Sequence, residues 1–325
     1  MENPQNVMSE LMNFMKNRIV LTASELDIFT KLESPLTIGE MAEKEQFDIK
    51  GLTRLLDSLV AVGYLQKQKD RYHNTEKGML FSSHHPETVL PIALHFNRLW
   101  DSWSSLTDIV KGRKSGHGAT LRVDKKSTEA FVGAMHAIGR SLSEDIVEFY
   151  NAERFECLLD IGGASGTYTI AFLERYPKLK AVLFDLKEVI PIARKRLKSY
   201  GYDKRLRFVS GDFYTDDLPE GCDLALLSAI IHQNSPEENI LLYKKIYKAI
   251  KPGGALLIRD HIMDETRTNP VSGAIFAINM LVNTTGGGTY TFPEVKKTLK
   301  QVGFSDIKIV RKGDRMDCLV EATKR

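Results

Sequence analysis

Apolar and polar positions recur with two different periods along the chain, and the period changes near Phe155. Before that point the spacing is helical. In "LTASELDIFTKLE" the residues Leu21, Leu26, Ile28, Phe29 and Leu32 recur every three to four positions. Thr37 with Glu40 three residues later predicts a capped helix start. Leu52, Leu55, Leu56, Leu59 and Val60 form one face of a helix expected over 49–62. "GYLQKQKDRYHNT" then reads as a two-stranded ribbon turning at Lys69-Asp70. Helix, helix, helix, ribbon is the order of a winged helix-turn-helix. Met8, Met12 and Met15 lay an apolar stripe along the first helix, suited to a core or dimer contact.

A second helical stretch is expected from Glu87 to Tyr150, interrupted by the Gly- and base-rich loop "GRKSGHGATLRVDKK". Beyond Phe155, short apolar runs alternate with amphipathic helices: "CLLDIG", "KAVLFDL", "LRFVSGD", "DLALLSAIIH", "GALLIRDHI", then "DIKIVRKG" and "MDCLVEAT". This pattern predicts an α/β, Rossmann-like sheet, mostly parallel and covered on both faces, with a late antiparallel pair at one edge. The expected division is 1–85 for the winged-helix part, 86–150 for a helical linker and pocket region, and 151–325 for the α/β domain.

Charge and composition narrow the function. Lys plus Arg number 45 against 42 for Asp plus Glu, a net charge of +3, which is too balanced for a chain built to hold nucleic acid. Cys157, Cys222 and Cys318 are far apart and lack Cys-x-x-Cys spacing, so they read as core thiols, with no metal site expected. The first twenty residues carry neither a signal-type apolar region nor a membrane span, and a cytoplasmic, soluble protein is expected.

The strongest local signal is "LLDIGGASGTYTIAFLERY". A strand ends near Asp160, and Gly162, Gly163 and Gly166 allow a tight turn and close ligand approach before a helix opens. The next strand ends in Asp185, placed for ribose hydroxyls, with Leu186 beside it. The following one leads to Asp212 and Phe213, suited to an adenine amine and an adenine face. Nicotinamide dinucleotides are the first competitor. The loop lacks their Gly-x-Gly-x-x-Gly spacing, and Asp160 opposes a diphosphate while favouring a cationic amino-acid end. S-adenosylmethionine has that end, a ribose and no phosphate. Ser228, at the end of "LALLS", joins the cofactor set. Next along the chain comes His232, followed by Gln233 and Asn234.

With the Gly loop, Asp185, "SGDFY", "IIH", "AIKPGGALLIRD", "GGGTYTFPEV" and "VGFSDIKIV" in this order, nearly the whole chain resembles the small-molecule O-methyltransferases. That family is typified by plant caffeate and acetylserotonin methyltransferases and includes bacterial hydroxyneurosporene and polyketide methyltransferases. The resemblance implies a winged-helix domain that dimerises and closes over the partner's substrate site. It also implies S-adenosylmethionine as methyl donor, His232 as catalytic base and Asp260 as the carboxylate orienting it. Phe131 and Met135 would line the acceptor pocket. His95 and His136 are candidates for the same wall, against simple packing at helix interfaces. The apolar run Phe276 to Gly288 is a further candidate wall, with Met280 and Asn283 or Thr284 facing inward.

The chain departs from the family at three points around one site. His232-Gln233-Asn234 stands where His-Asp-Trp is usual, Asp260 replaces a longer glutamate, and Thr289 aligns with a second orienting glutamate. Ala164 replaces the middle loop glycine, a mild change. These departures leave open an acceptor that needs little base help, such as a thiol, an enol carbon or a nitrogen, or other chemistry on bound S-adenosylmethionine. The reading from another class is a DNA-binding regulator. It would use the helix over 49–62 and the basic ribbon residues Lys67, Lys69 and Arg71, a sparse footprint for duplex DNA.

Overall fold

A computed structural model describes residues 3–116, 125–202 and 204–325, without the side chains of 125–127; much of the Gly- and base-rich loop therefore lies outside the described residues. The chain divides into two compact units, Met1–Asp101 and Ser102–Arg325.

The first unit starts with helix α1 (Pro4–Glu25), where Asn3 accepts the Gln5 N–H and Pro4 takes the first helical position. It continues through α2 (Ile28–Lys31), β1 (Leu36–Thr37), α3 (Ile38–Glu45), α4 (Ile49–Ala61), β2 (Leu65–Gln68), β3 (Arg71–Asn74) and α5 (Glu76–Met79). The Thr37–Glu40 capping box is present in both directions. Phe29, Leu32, Leu56, Leu59 and Tyr72 are fully buried in one core. The ribbon turns through Lys69 at a positive φ, and β1 adds a third strand to it. Two of its cations are already matched: Lys67 Nζ lies 2.9 Å from Asp57, and Arg71 Nη1 3.1 Å from Glu40.

Helix α6 (Leu90–Ser104) crosses the boundary and α7 (Leu106–Val110) follows. The second unit then runs α8 (Lys125–Phe149), β4 (Cys157–Ile161), α9 (Thr167–Arg175), β5 (Lys180–Asp185), α10 (Ile190–Leu197), β6 (Leu206–Ser210), β7 (Leu224–Ser228) and α11 (Pro236–Ala249). It ends with β8 (Ala255–Asp260), β9 (Ile262–Met263), α12 (Val271–Asn283), β10 (Tyr290–Thr291), α13 (Phe292–Val302), β11 (Ser305–Arg311) and β12 (Cys318–Thr323). The main sheet has the order β11-β12-β8-β7-β4-β5-β6. Only β12 runs against its neighbours. Strand sequences such as "CLLDI" and "LALLS" are almost continuously apolar because both faces are covered. Leu159, Ile161, Leu227 and Ile258 pack with Leu242, Tyr243, Ile246 and Leu299, from α11 and α13. Leu158, Leu224, Leu226 and Leu257 pack on the other face with Ile146 of α8 and Phe172 of α9.

Two expectations change. Cys157 and Cys222 form a disulfide with Cα atoms 4.6 Å apart, because the start of β4 and the approach to β7 lie side by side. Cys318 is free and buried. "DLALLSAIIH" is not one strand to its end: it stops at Ser228, Ala229 turns at a positive φ, and His232 lies in a short 3₁₀ turn, Ile231–Gln233. Among the described residues no helix is long and apolar enough to cross a membrane.

Glu321 on β12 is buried and joins the sheet to the segment that follows α8. Its Oε2 accepts from Tyr150 Oη at 2.5 Å and from Arg154 Nη2 at 2.7 Å. Arg154 is half exposed and can return to water; the Tyr150 hydroxyl cannot. Glu321→Ala is therefore expected to cost about 1–3 kcal/mol, measured by urea unfolding. A stability equal to that of the unaltered chain would show that water replaces the carboxylate.

Candidate active site

In the main sheet the chain moves outward from β4 to β5 and β6, then crosses to β7 and β8 on the other side. The segments leaving β4 and β7 thus diverge, which is the topology that sets the ligand position at the carboxyl ends of these strands in open α/β sheets. The Gly loop follows β4. The turn carrying His232 follows β7.

The loop is shaped by its neighbours. Gly166 has φ +76°, and a Cβ there would stand 2.4 Å from Leu197 Cδ1, so only glycine lets α9 settle on α10. At Gly162 an added Cβ would meet Ile230 Cδ1 at 2.8 Å and lie 3.7 Å from the Phe213 ring. This puts the loop, the post-β7 turn and the post-β6 segment in one place. Asp185, at the end of β5, is held at both oxygens: Ala164 N–H donates to Oδ2 at 2.8 Å and Leu186 N–H to Oδ1 at 2.7 Å. Asp160 lies beneath the loop, 1% exposed, and accepts from Thr169 Oγ1 at 2.5 Å. Burial, reinforced by the nearby Asp185 charge, outweighs the Thr169 bonds and the Arg259 charge and pushes its carboxyl up to about 6. Asp212 Oδ1 accepts from Tyr214 N–H at 2.9 Å, and the Phe213 and Tyr214 rings lie 4.6 Å apart. Ser228 Oγ accepts from Arg259 Nε at 2.7 Å; Arg259 is itself buried, over the Tyr168 ring.

His232 and Asp260 meet. Nδ1 of His232 lies 2.9 Å from Oδ1 and 3.0 Å from Oδ2 of Asp260, and the shorter carboxylate still reaches. Asp260 is fully buried. Burial would raise its pKa, but the His232 charge and hydrogen bond, with Arg259 and the His261 N–H, outweigh that and hold it below the ordinary carboxylate value. A carboxylate on Nδ1 fixes the proton there and leaves Nε2 as the acceptor.

The turn itself has few bonds of its own, and the protein supplies the rest. Asn239 Nδ2 donates to the Ile231 carbonyl at 2.9 Å, Gly288 N–H to the His232 carbonyl at 2.8 Å, and Tyr290 Oη to the Asn234 carbonyl. At Gly287 an added Cβ would stand 2.5 Å from the His232 carbonyl oxygen, which explains why this segment approaches so closely. Thr289 is buried, and its carbonyl accepts from Arg267.

Helix α12 lies beside His232: the Phe276 ring is edge-on to it at 4.8 Å. Met280 is buried on the same helix. Thr284 ends it, its hydroxyl donating to the Met280 carbonyl and accepting from Gly287 N–H. Asn279 Oδ1 accepts from Trp103 Nε1 and Asn283 Nδ2, each at 2.9 Å. Phe131 and Met135 are half-buried on α8, ahead of Gly139, where that helix packs on Thr167 and Tyr168 of α9. His136 Nδ1 lies 3.0 Å from Thr167 Oγ1. His95 belongs to the first unit, where burial and then Arg98 lower its pKa. Sequence reasoning missed His261 as a neighbour of the pair, whereas Phe276 heads the run expected as a pocket wall. His261 is buried and among the described residues has no hydrogen-bond partner on Nδ1; its ring is 5.2 Å from Phe276. Its place directly after Asp260 was the available signal. Among the described residues no group of three or more His, Cys, Asp or Glu could hold a metal ion.

Known proteins resemble this chain over nearly its whole length. A family model described as O-methyltransferase domain matches residues 103–305, and one described as O-methyltransferase dimerisation domain matches 9–84. The tetracenomycin polyketide synthesis 8-O-methyl transferase of Streptomyces glaucescens is 29% identical over 94% of this chain and 92% of its own. The acetylserotonin O-methyltransferase of Gallus gallus is 28% identical over 98% of this chain and 97% of its own. The crystal structure of human N-acetylserotonin methyltransferase in complex with SAM superposes with a TM-score of 0.84 at 23% identity, covering 99% of this chain and 98% of that one.

Asp160 gives a test by pH. Its folded-state pKa of about 6 lies above the ordinary 3.8, so the folded chain binds this proton more tightly than the unfolded one. Its contribution to stability is full below the ordinary value and is lost as pH rises through the folded value. Asp160→Asn keeps an acceptor for Thr169 and removes the ionisation. It is expected to raise the thermal midpoint at pH 8 by roughly 5 °C, with the gap closing toward pH 5. An equal gap at both pH values would exclude ionisation as its cause.

Proposed function

The chain belongs to the O-methyltransferase family, and we propose that it moves the methyl group of S-adenosylmethionine to a phenolic hydroxyl of a small molecule, with His232 as general base. The observation that carries this reading is the contact of His232 Nδ1 with both oxygens of the buried Asp260, beside the Gly loop. When bound, the sulfonium supplies the activated methyl group.

The residues present fit that cofactor. The Gly162–Gly166 loop would hold its methionine part, with Asp160 beneath giving a negative field that suits an ammonium and opposes a diphosphate. Asp185, held at both oxygens by backbone N–H groups at the end of β5, is the carboxylate that would face the ribose hydroxyls. Leu186, Asp212, Phe213 and Ser228 would complete the adenine and methionine walls.

A phenol of pKa near 10 holds its proton at neutral pH. His232 Nε2 would accept that proton, leaving the phenol oxygen as the nucleophile for the methyl group that the bound sulfonium would supply. Asp260 stabilises the imidazolium so formed. Phe276 and Met280 supply an apolar wall that holds an aromatic acceptor in line, where orientation does most of the work. Phe131, Met135 and Thr284 are the other proposed pocket residues.

The first unit carries the dimerisation domain. On α1, Val7, Met8, Leu11, Met12, Phe14 and Met15 are exposed, an apolar stripe that a second copy would cover. The ion pairs of Lys67 and Arg71 leave the ribbon little free charge for phosphates, which favours this role over DNA binding.

Three outcomes are expected. Asp185→Ala lowers S-adenosylhomocysteine affinity at least about 100-fold by calorimetry; unchanged affinity sinks the cofactor assignment. His232→Ala slows methyl transfer to a phenol at least about tenfold, and full activity removes His232 from the base role. Leu11→Asp shifts the chain toward monomer in sedimentation velocity, whereas an unaltered dimer places the interface elsewhere.

A further inference from the structure

The proposed chemistry leaves Gln233 and Asn234 without a part, although they stand at the point where the chain departs from its family. Asn234 is fully buried, and both ends of its amide are bonded. Its Oδ1 accepts from Tyr214 Oη at 2.5 Å, and its Nδ2 donates to Asn239 Oδ1 at 3.0 Å. Asn239 in turn donates to the Ile231 carbonyl. Gln233 Nε2 reaches the Tyr214 hydroxyl at 3.4 Å. On the other side of this link is the segment after β6, which carries Asp212 and Phe213. Lys245 of α11 gathers its backbone, donating to the carbonyls of Phe213, Tyr214 and Asp216 at 2.8–2.9 Å.

Two irregular segments are thereby joined: the one proposed to face adenine and the one that holds His232. Neither is held by strand pairing. A buried amide bonded at both ends fixes relative position more sharply than apolar contact, because each misplacement leaves a polar atom unpaired.

We infer that Asn234 is a positioning residue: through Tyr214 it ties the adenine-side segment to the turn carrying His232, so that seating the cofactor sets the base. The inference rests on the cofactor reading above.

The test is a double-mutant cycle on the full-length chain, with Tyr214→Phe, Asn234→Ala and both together. S-adenosylhomocysteine affinity is measured by calorimetry. The ring ¹⁵N signals of His232, identified by their loss in His232→Gln, are followed during the titration. Each single change is expected to weaken binding about threefold to tenfold, and the pair no more than the worse single. The His232 signals, which shift on binding in the unaltered chain, respond weakly or not at all in Tyr214→Phe. A merely structural role would leave that response intact in every folded variant. Tyr214→Phe removes one oxygen from a side chain that reaches the surface, so it decides the matter even if Asn234→Ala does not fold. Losses that add independently, or a Tyr214→Phe chain with affinity within twofold and a normal His232 response, overturn the link while leaving the cofactor reading in place. An unaltered chain that binds no S-adenosylhomocysteine overturns both.

Discussion

The reversal of strand order between β4 and β7 is the constraint on which the rest depends. Neighbouring parallel strands whose chains depart in opposite directions leave a gap that neither connection can fill. Here the Gly loop borders it on one side and the His232 turn on the other. Asp185 stands one strand further out and Asp260 one strand further on the opposite side. The proposed donor and base therefore belong to a single sheet edge, and no domain movement is needed to bring His232 to Asp260.

Much of this was legible in the sequence, for local reasons. A capping box, a Gly-rich strand-to-helix turn and uninterrupted apolar strands are written within a few residues of where they act. Asp185 and Asp260 could be read because strand ends are predictable from such runs. What could not be read depends on approach in space. Nothing local says that Cys157 meets Cys222, that Gly288 donates to His232, or that Tyr214 reaches Asn234. The end of β7 was misplaced for a related reason. "SAIIH" is apolar enough to continue a strand, and the break comes from Ala229 adopting a left-handed backbone, which alanine composition does not announce.

The departures from the family pattern look different with the geometry in place. Asp260, shorter than the usual glutamate, still bonds the imidazole with both oxygens. Asn234 is engaged in the core, not lost from it. The buried charges also explain a tension in the site. Asp160 is held where water cannot solvate it, a cost to the free protein at neutral pH. A cationic ligand would relieve that cost, so stability withheld from the empty fold becomes affinity for its occupant.

The run Gly286-Gly287-Gly288 has a bearing on how this enzyme class can be altered. A Cβ at Gly287 would stand 2.5 Å from the His232 carbonyl oxygen and collide with the turn itself, and one at Gly286 would press on Ser235 at 3.0 Å. A mutational library aimed at new acceptors gains nothing from diversity at these positions, since most members would misplace the base before meeting a substrate. Variation belongs instead at Phe276 and Met280 of α12, the proposed acceptor wall, where Phe276 meets the His232 segment through side chains and not through its backbone.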